Sequence, residues 1–192
     1  TQRTRAGILE QLNYRIGKIL LERGIIDDSL YTNIDQIQKQ ESQNGRRLLH
    51  QVLVDDYDLD RHTVFSTVAR YYAFKAVDLS SEEFSDSQLN FIRKILDTFP
   101  EEQRQKMLDR RILPFRTSPT NPDLLTVLVA DPLDRTLPDT LSQLSYAKVE
   151  VAYANHSEID ALIQQVSEFR NEFLRNLEDT LHDIEIVDED QE

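Results

Sequence analysis

The chain has 192 residues, enough for one large or two small domains, and 39% of them are hydrophobic. It contains no cysteine, which excludes disulfides and thiolate metal sites and indicates a reducing compartment. The formal net charge is −13, and this acidity argues against non-specific nucleic-acid binding and against electrostatic docking to anionic lipid. No apolar run has the length of a membrane span or of a signal-peptide core, so we expect a cytoplasmic protein without direct membrane insertion.

One helical pattern occurs twice between residues 15 and 72. Each copy has an apolar helical face, a corner, an Asp at a helix N-cap position and a second amphipathic helix. The caps are Asp27 in the first copy and Asp60 in the second, and Gly24 stands where the first helix should end. These features predict two stacked helical hairpins with their joint at Asn44-Gly45.

The two corners differ in one respect. The second corner, Asp55 to Asp58, has no glycine. Because glycine adopts the left-handed backbone conformation without steric penalty, we expect the second corner either to differ from the first in geometry or to be strained.

The second half of the chain alternates strand-like and helical segments. Residues 124–130 form a nearly continuous apolar run, which predicts a central strand. Further strands are predicted at 112–115 and 149–152, helices at 101–108, 136–145 and 157–166, and a hairpin turn at 117–123. The predicted fold class is α+β: a bundle of helical hairpins (1–74) packed with a small helix-covered β-sheet (75–166).

Residues 167–192 form the third predicted segment, an acidic helical linker. Phe169, Phe173 and Leu177 give it an apolar stripe, which either lies back on the domain or binds a partner as a helix in a groove. Residues 168–192 hold 10 acidic and 2 basic side chains, and beyond Asp183 we expect either disorder or a linker.

The repeats, together with the runs AVDL at 76–79, RILPF at 111–115 and LTVLVADPL at 125–133, carry a resemblance. Over roughly residues 12–165 the chain resembles the N-terminal domain of type II secretion and type IV pilus assembly ATPases. Some members of that family bind cyclic di-GMP through two tandem motifs of the form RLGxxLxxxGxxxxxxLxxxLxxQ. The resemblance implies a possible cyclic di-GMP ligand and no other cofactor.

The first copy matches this motif well. An Arg guanidinium stacks on a guanine or forks onto a phosphate, a glycine lets the backbone approach the ligand, and leucines form an apolar shelf for the purine. The ligand-binding residues that the resemblance implies in the first copy are Arg15, Gly17, Leu20, Gly24 and Gln38.

The second copy departs from the motif. The motif Arg falls on Leu48 or is supplied by Arg46 or Arg47, and the two glycines become His50 and Tyr57. The terminal Gln becomes Tyr71. Bulky side chains at glycine positions favour a helical module that has kept its packing residues and lost the ligand site.

No catalytic constellation is predicted. There is no GxxxxGK[ST] and no GxSxG, and the four histidines have no metal-ligand spacing, so we expect no catalytic residues, no metal and no enzymatic activity in this chain. We interpret Asp131-Pro132 as the end of the central strand and Asp134 as the cap of the next helix.

The resemblance implies a regulatory and docking domain that recruits an ATPase motor to inner-membrane platform proteins, at the cytoplasmic face of that membrane. Its implied partners are a platform protein and the motor itself, which we expect beyond Glu192, with no nucleic acid. A cyclic di-GMP receptor is the alternative. A third option attaches the same domain to another output, such as a glycosyltransferase.

Overall fold

The computed structural model describes residues 2–189, with side chains described for residues 7–187. The chain forms two compact units. One contains the residues up to Ala76 together with Asp131–Leu133, and the other contains Val77–Ala130 and the residues from Asp134 onward. The combination of helices with a small sheet confirms the predicted α+β fold class.

The described residues of the first unit form five helices and a two-residue strand. They are α1 (Gln2–Glu22), α2 (Asp28–Thr32), α3 (Ile34–Asn44), α4 (Leu49–Tyr57), α5 (Arg61–Tyr71) and β1 (Lys75–Ala76). Its core consists of aliphatic side chains from α1, α3, α4 and α5 around the fully buried Phe65. The two predicted hairpins are therefore present, with α1 and α4 as their first helices.

The caps that the sequence predicts are confirmed. Asp27 accepts a hydrogen bond from the backbone N–H of Leu30 (2.8 Å), and Asp60 accepts one from Thr63 (2.9 Å). The first hairpin differs from its prediction at Asn33, where its second helix divides into α2 and α3. The N–H of Asn33 bonds to the carbonyl of Leu30, three residues back, which tightens the turn and changes the helix direction.

The second unit surrounds a sheet with helices. Its elements are a 3₁₀ turn (Leu79–Ser81), α6 (Asp86–Leu96), α7 (Glu101–Asp109), β2 (Ile112–Thr117), β3 (Leu124–Val129), α8 (Leu137–Ser142), β4 (Lys148–Tyr153) and α9 (His156–Glu189). Strand β3 lies between β2, which is antiparallel to it, and β4, which is parallel. The predicted central strand and the hairpin turn are confirmed.

Two predictions in this unit were wrong. Asp134 does not cap α8, because its carboxylate accepts the N–H of Thr136 in the turn before that helix. The chain does not lose structure after Asp183, since α9 continues as one helix to Glu189; residues 190–192 lie outside the described residues. Helix propensity and apolar residues at helical spacing extend α9 through its acidic end.

Candidate functional site

The first copy of the motif lies on α1, where Gly17 is buried against the neighbouring helices. A Cβ atom built on Gly17 would meet the side chain of Ile34 and would lie 3.3 Å from Leu49 Cδ2. The absent side chain therefore allows α3 and α4 to approach α1. These apolar side chains cover the backbone that a ligand would need to reach.

Two other motif residues of the first copy have structural contacts. Leu20 is fully buried in the core. Gly24 has φ 71° and ends the first hairpin helix, since its N–H bonds to the carbonyl of Leu21 (3.0 Å) and the next N–H bonds to that of Leu20 (2.9 Å). Its predicted position at the helix end is confirmed, and its ligand role stays a prediction.

Gln38 lies on α3 and faces α1. Its Oε1 is 3.5 Å from the side-chain nitrogen of Asn13, and Asn13 Oδ1 accepts a hydrogen bond from the N–H of Leu49 (2.9 Å). Asn13 thus satisfies a backbone donor in the first turn of α4. Asn13 could not be selected from local sequence signals, because its partners lie 25 and 36 residues away.

Arg15 is the one motif residue of the first copy with an exposed side chain on α1. Two residues correspond to about 200° around a helix, so Arg15 and Gly17 point in nearly opposite directions. The charge of Arg15 acts on Tyr72, the C-cap residue of α5. Burial and the neighbouring Tyr71 raise the pKa of Tyr72, and the charge of Arg15 partly offsets them.

The second copy places a histidine where the first has Gly17. His50 is fully buried in α4, and its ring packs on Phe65 with 4.7 Å between ring centroids. His50 Nε2 lies 2.9 Å from Asp131 Oδ1. The imidazole therefore fills the space at this motif position. It also contacts the side chain of Asp131, which lies 81 residues away in the sequence.

Asp131 is the partner of His50 within the first unit. Burial raises the pKa of Asp131, but the hydrogen bond and charge of His50, the N–H of Leu133 and the charge of Arg61 outweigh it, so that the pKa lies below its ordinary value. The predicted end of the central strand is confirmed, since β3 ends at Val129, just before Asp131 and Pro132. Asp131 also bonds to the N–H of Leu133 and to His50 of α4.

Arg47 is held by three carboxylates. Its guanidinium lies 2.8 Å from Glu41, 2.8 Å from Asp56 and 3.3 Å from Asp55, and its backbone N–H also bonds to Glu41. The hydrogen bonds that Arg47 donates to Asp56 and Glu41 raise the pKa of Arg47, and the bond to Asp56 lowers the pKa of Asp56. This ion-pair network joins α3 to α4, so a ligand phosphate would have to displace an existing carboxylate.

Arg46 is exposed beside this network. Its backbone is left-handed (φ 60°), and its N–H bonds to the carbonyl of Glu41 (2.9 Å) as α3 ends. The second corner also has a left-handed residue, at Asp58 (φ 57°), one position after Tyr57, the motif counterpart of Gly24. Its cap Asp60 lies two residues further on, whereas Asp27 lies three residues after Gly24, so the second corner differs from the first in geometry and also holds a non-glycine residue in the strained left-handed conformation.

A groove of about 680 Å³ opens where the two corners meet. Ile25, Ile26 and Leu59 contribute apolar surface, and the hydroxyl of Tyr57 accepts a hydrogen bond from the side chain of Asn33 (3.3 Å). None of the ligand-binding residues implied by the resemblance lines this groove. The structure thus separates the groove from Arg15, Gly17 and the arginines at 46 and 47.

The predicted partner-binding residues of α9 fall into two environments. Phe169 packs against the core of the second unit, and Phe173 lies under Arg93, whose Cζ is 4.1 Å from the ring centroid. Leu177 is exposed. The alternative that the stripe lies back on the domain therefore describes its first two members, while a partner role for Leu177 stays a prediction.

Two further features are absent from the described residues, a metal-binding cluster and a membrane-spanning helix. No group of three or more His, Asp or Glu side chains there could hold a metal ion. In the same part of the chain, no helix has both the length and the apolarity that crossing a bilayer demands.

The chain is similar to a family of domains and to solved structures. Residues 88–172 match the MshEN domain family. A structure of MshE with cdg (cyclic di-GMP) is similar at 21% identity and a TM-score of 0.56, covering 80% of this chain and 97% of that one. The N-terminal domain of XpsE is similar at 20% identity and a TM-score of 0.50, covering 78% and 92%. No curated protein sequence matches.

These similarities confirm the resemblance to the N-terminal domain of type II secretion and type IV pilus assembly ATPases. The family match begins at residue 88, after both copies of the tandem motif. The solved structures, at this level of identity, establish the shared fold.

Proposed function

We propose that this chain is a docking domain of a secretion or pilus-assembly ATPase and works through protein contacts at the cytoplasmic face of the inner membrane. It recruits the motor to a platform protein and has no catalytic activity of its own. The observation that carries this proposal is the use of motif positions for packing: His50 occupies a glycine position, and Arg47 is committed to three carboxylates.

Two features of the first unit support a protein-binding module over a nucleotide receptor. A nucleotide site needs free cations and a close backbone approach. Gly17 is covered by aliphatic side chains, and Arg15 points away from it. The two copies thus retain the helical hairpins, while Gly17, Leu20 and His50 are buried in the core.

A binding experiment tests the docking role. The purified chain is mixed with the cytoplasmic domain of each inner-membrane platform protein of its own system, and complex formation is followed by co-elution and calorimetry. We expect one of these proteins to form a stoichiometric complex. Failure to bind any of them would overturn the proposal.

A cyclic di-GMP receptor is the second candidate, because MshE, which shares the fold, has been determined with cdg. The exposed Arg15 is the feature of this chain that favours it. Calorimetric titration of cyclic di-GMP into the wild type, Arg15→Ala and Lys18→Ala separates the two candidates, since Lys18 is another exposed cation of α1.

If the domain docks only proteins, none of the three forms releases heat. Micromolar binding lost in Arg15→Ala but retained in Lys18→Ala would make the chain a second-messenger receptor. This titration is independent of the platform experiment, because a domain can use both ligands.

A further inference from the structure

The end of α9 presents an apolar face that the rest of the second unit does not cover. The helix is attached to the unit as far as Phe173, through the ion pair between Arg170 Nε and Asp97 Oδ1 (2.9 Å) and the contact of Phe173 with Arg93. Every side chain from Leu174 to Val187 is exposed. The family match also ends at residue 172, so this extension is additional to the matched domain.

The apolar side chains of the extension form a seam. Leu174, Leu177, Leu181 and Ile184 follow one another at intervals of three, four and three residues, which places them on one side of a helix. With Phe173 and Val187 at its border, the seam is about 20 Å long at the rise of an α-helix. Leu177 is 46% and Leu181 53% exposed, so no described part of the second unit covers them.

The charges beside the seam are acidic. Glu178 and Glu185 flank it on one side, and residues 171–187 contain five carboxylates against one guanidinium, that of Arg175. A second copy would bring like charges together beside the seam. An anionic membrane surface would be repelled for the same reason.

We propose that this face of α9, from Leu174 to Ile184, docks an amphipathic helix of a partner protein whose apolar stripe is bordered by lysine or arginine. The partner helix buries the four seam residues and pairs its cations with Glu178 and Glu185. This inference rests on the proposed docking role and assigns that role a surface and a partner chemistry.

The test uses two labelled synthetic helical peptides of three heptads, both with Leu at the seam positions. One has Lys beside the seam and the other has Glu. Binding to the 192-residue chain is measured by fluorescence anisotropy at low and high salt. We expect the Lys peptide to bind at least about tenfold more tightly than the Glu peptide, with the difference shrinking in high salt.

Matched variants locate the contact. Leu177→Gln with Leu181→Gln should abolish binding of the Lys peptide, while Ile186→Gln should leave it unchanged. Ile186 is an apolar residue of similar exposure (45%) on the opposite side of the helix. The double variant Glu178→Gln with Glu185→Gln should weaken binding of the Lys peptide about fivefold. The double variant Asp179→Asn with Asp183→Asn removes the same charge away from the seam, and it should weaken binding much less.

Several results would overturn the inference. One is equal binding of both peptides, or of the wild type and the Leu177/Leu181 variant. Another is self-association of the chain that disappears in the Leu177/Leu181 variant, because the seam would then bind a second copy of the chain. If the leucine variant still captures the platform protein, this surface assignment is wrong while the docking role stands.

Discussion

The two hairpins of the first unit solve the same packing problem with different residues. In the first, Gly17 lets α3 and α4 approach α1 by having no side chain. In the second, the corresponding position of α4 carries His50, which fills its site and reaches Asp131. A repeat can therefore keep its helical hairpins when one copy has a glycine at a given position and the other has a buried histidine with a polar contact.

Replacing His50 should have the largest effect on the stability of the first unit. We expect His50→Ala to lower the free energy of unfolding by about 3 kcal/mol, because it leaves a cavity against Phe65 and removes the partner of Asp131. Urea unfolding followed by circular dichroism measures this change. His62→Ala, at an exposed position of α5, is the control and should change stability by less than about 0.5 kcal/mol.

Filling the empty position of the first hairpin should have the next largest effect. We expect Gly17→Ala to destabilise the fold by about 2 kcal/mol, because the new methyl group meets Ile34 and Leu49. Gly7→Ala in the same helix has open space around it and should stabilise by about 0.5 kcal/mol. Equal effects of the two substitutions in urea unfolding would show that Gly17 has no packing role.

The contact between His50 and Asp131 should make stability depend on pH. The pKa of Asp131 is lowered in the folded state from an ordinary 3.8, so its contribution is present above that value and is lost as the pH falls through the folded pKa. We expect Asp131→Asn to be less stable than the wild type by about 1.5 kcal/mol at neutral pH.

The difference between wild type and Asp131→Asn should shrink in acid, as the carboxyl of the wild type becomes protonated. Unfolding midpoints of both proteins at neutral pH and at about pH 3 measure this convergence. A difference that stays constant between the two conditions would contradict an ionised Asp131. Asp123→Asn, at an exposed position of the β2–β3 turn, provides the control.

The two corners give a smaller and opposite pair of effects. Gly24 and Asp58 both have left-handed backbones, but only glycine adopts that conformation freely. We expect Gly24→Ala to destabilise by about 1 kcal/mol and Asp58→Gly to stabilise by about 0.5 kcal/mol. Thermal unfolding of both variants measures the pair. Two shifts of the unfolding midpoint in the same direction would contradict a left-handed backbone at both positions.

The smallest expected effect concerns the exposed motif arginine. Arg15→Ala should change the free energy of unfolding by less than about 0.5 kcal/mol, because its side chain packs into no core. Urea unfolding establishes this before the cyclic di-GMP titration is interpreted. A large loss of stability would assign Arg15 a structural role instead.

The helix caps and the central strand could be predicted from the sequence, because the residues that form them are close together in the chain. Asp27 and Asp60 each cap a helix through an N–H three residues ahead, and the apolar run of β3 marks a strand covered on both sides. The hairpin repeat follows from the same short-range pattern. The division at Asn33 and the continuation of α9 were missed, because neither carries a strong start or stop residue.

The candidate site was less predictable. Sequence similarity to a ligand motif selected Arg47 and Gly17, yet the same residue types serve ion pairing and close packing equally well. Nothing within a few residues of Arg47 distinguishes a phosphate partner from a carboxylate partner. The groove at the two corners also went unnoticed, since its lining comes from separate parts of the chain.

The sequence by itself determined the order of most helices and strands, the two capped hairpins and the amphipathic helix at 167–182, because periodicity and capping act within one or two helical turns. Only the tertiary structure decided that Gly17 is covered, that Arg47 is bound by Glu41 and Asp56, and that His50 contacts Asp131. Those contacts depend on which distant side chains share a buried space, and long-range packing, unlike local hydrogen bonding, leaves no fixed spacing in the chain.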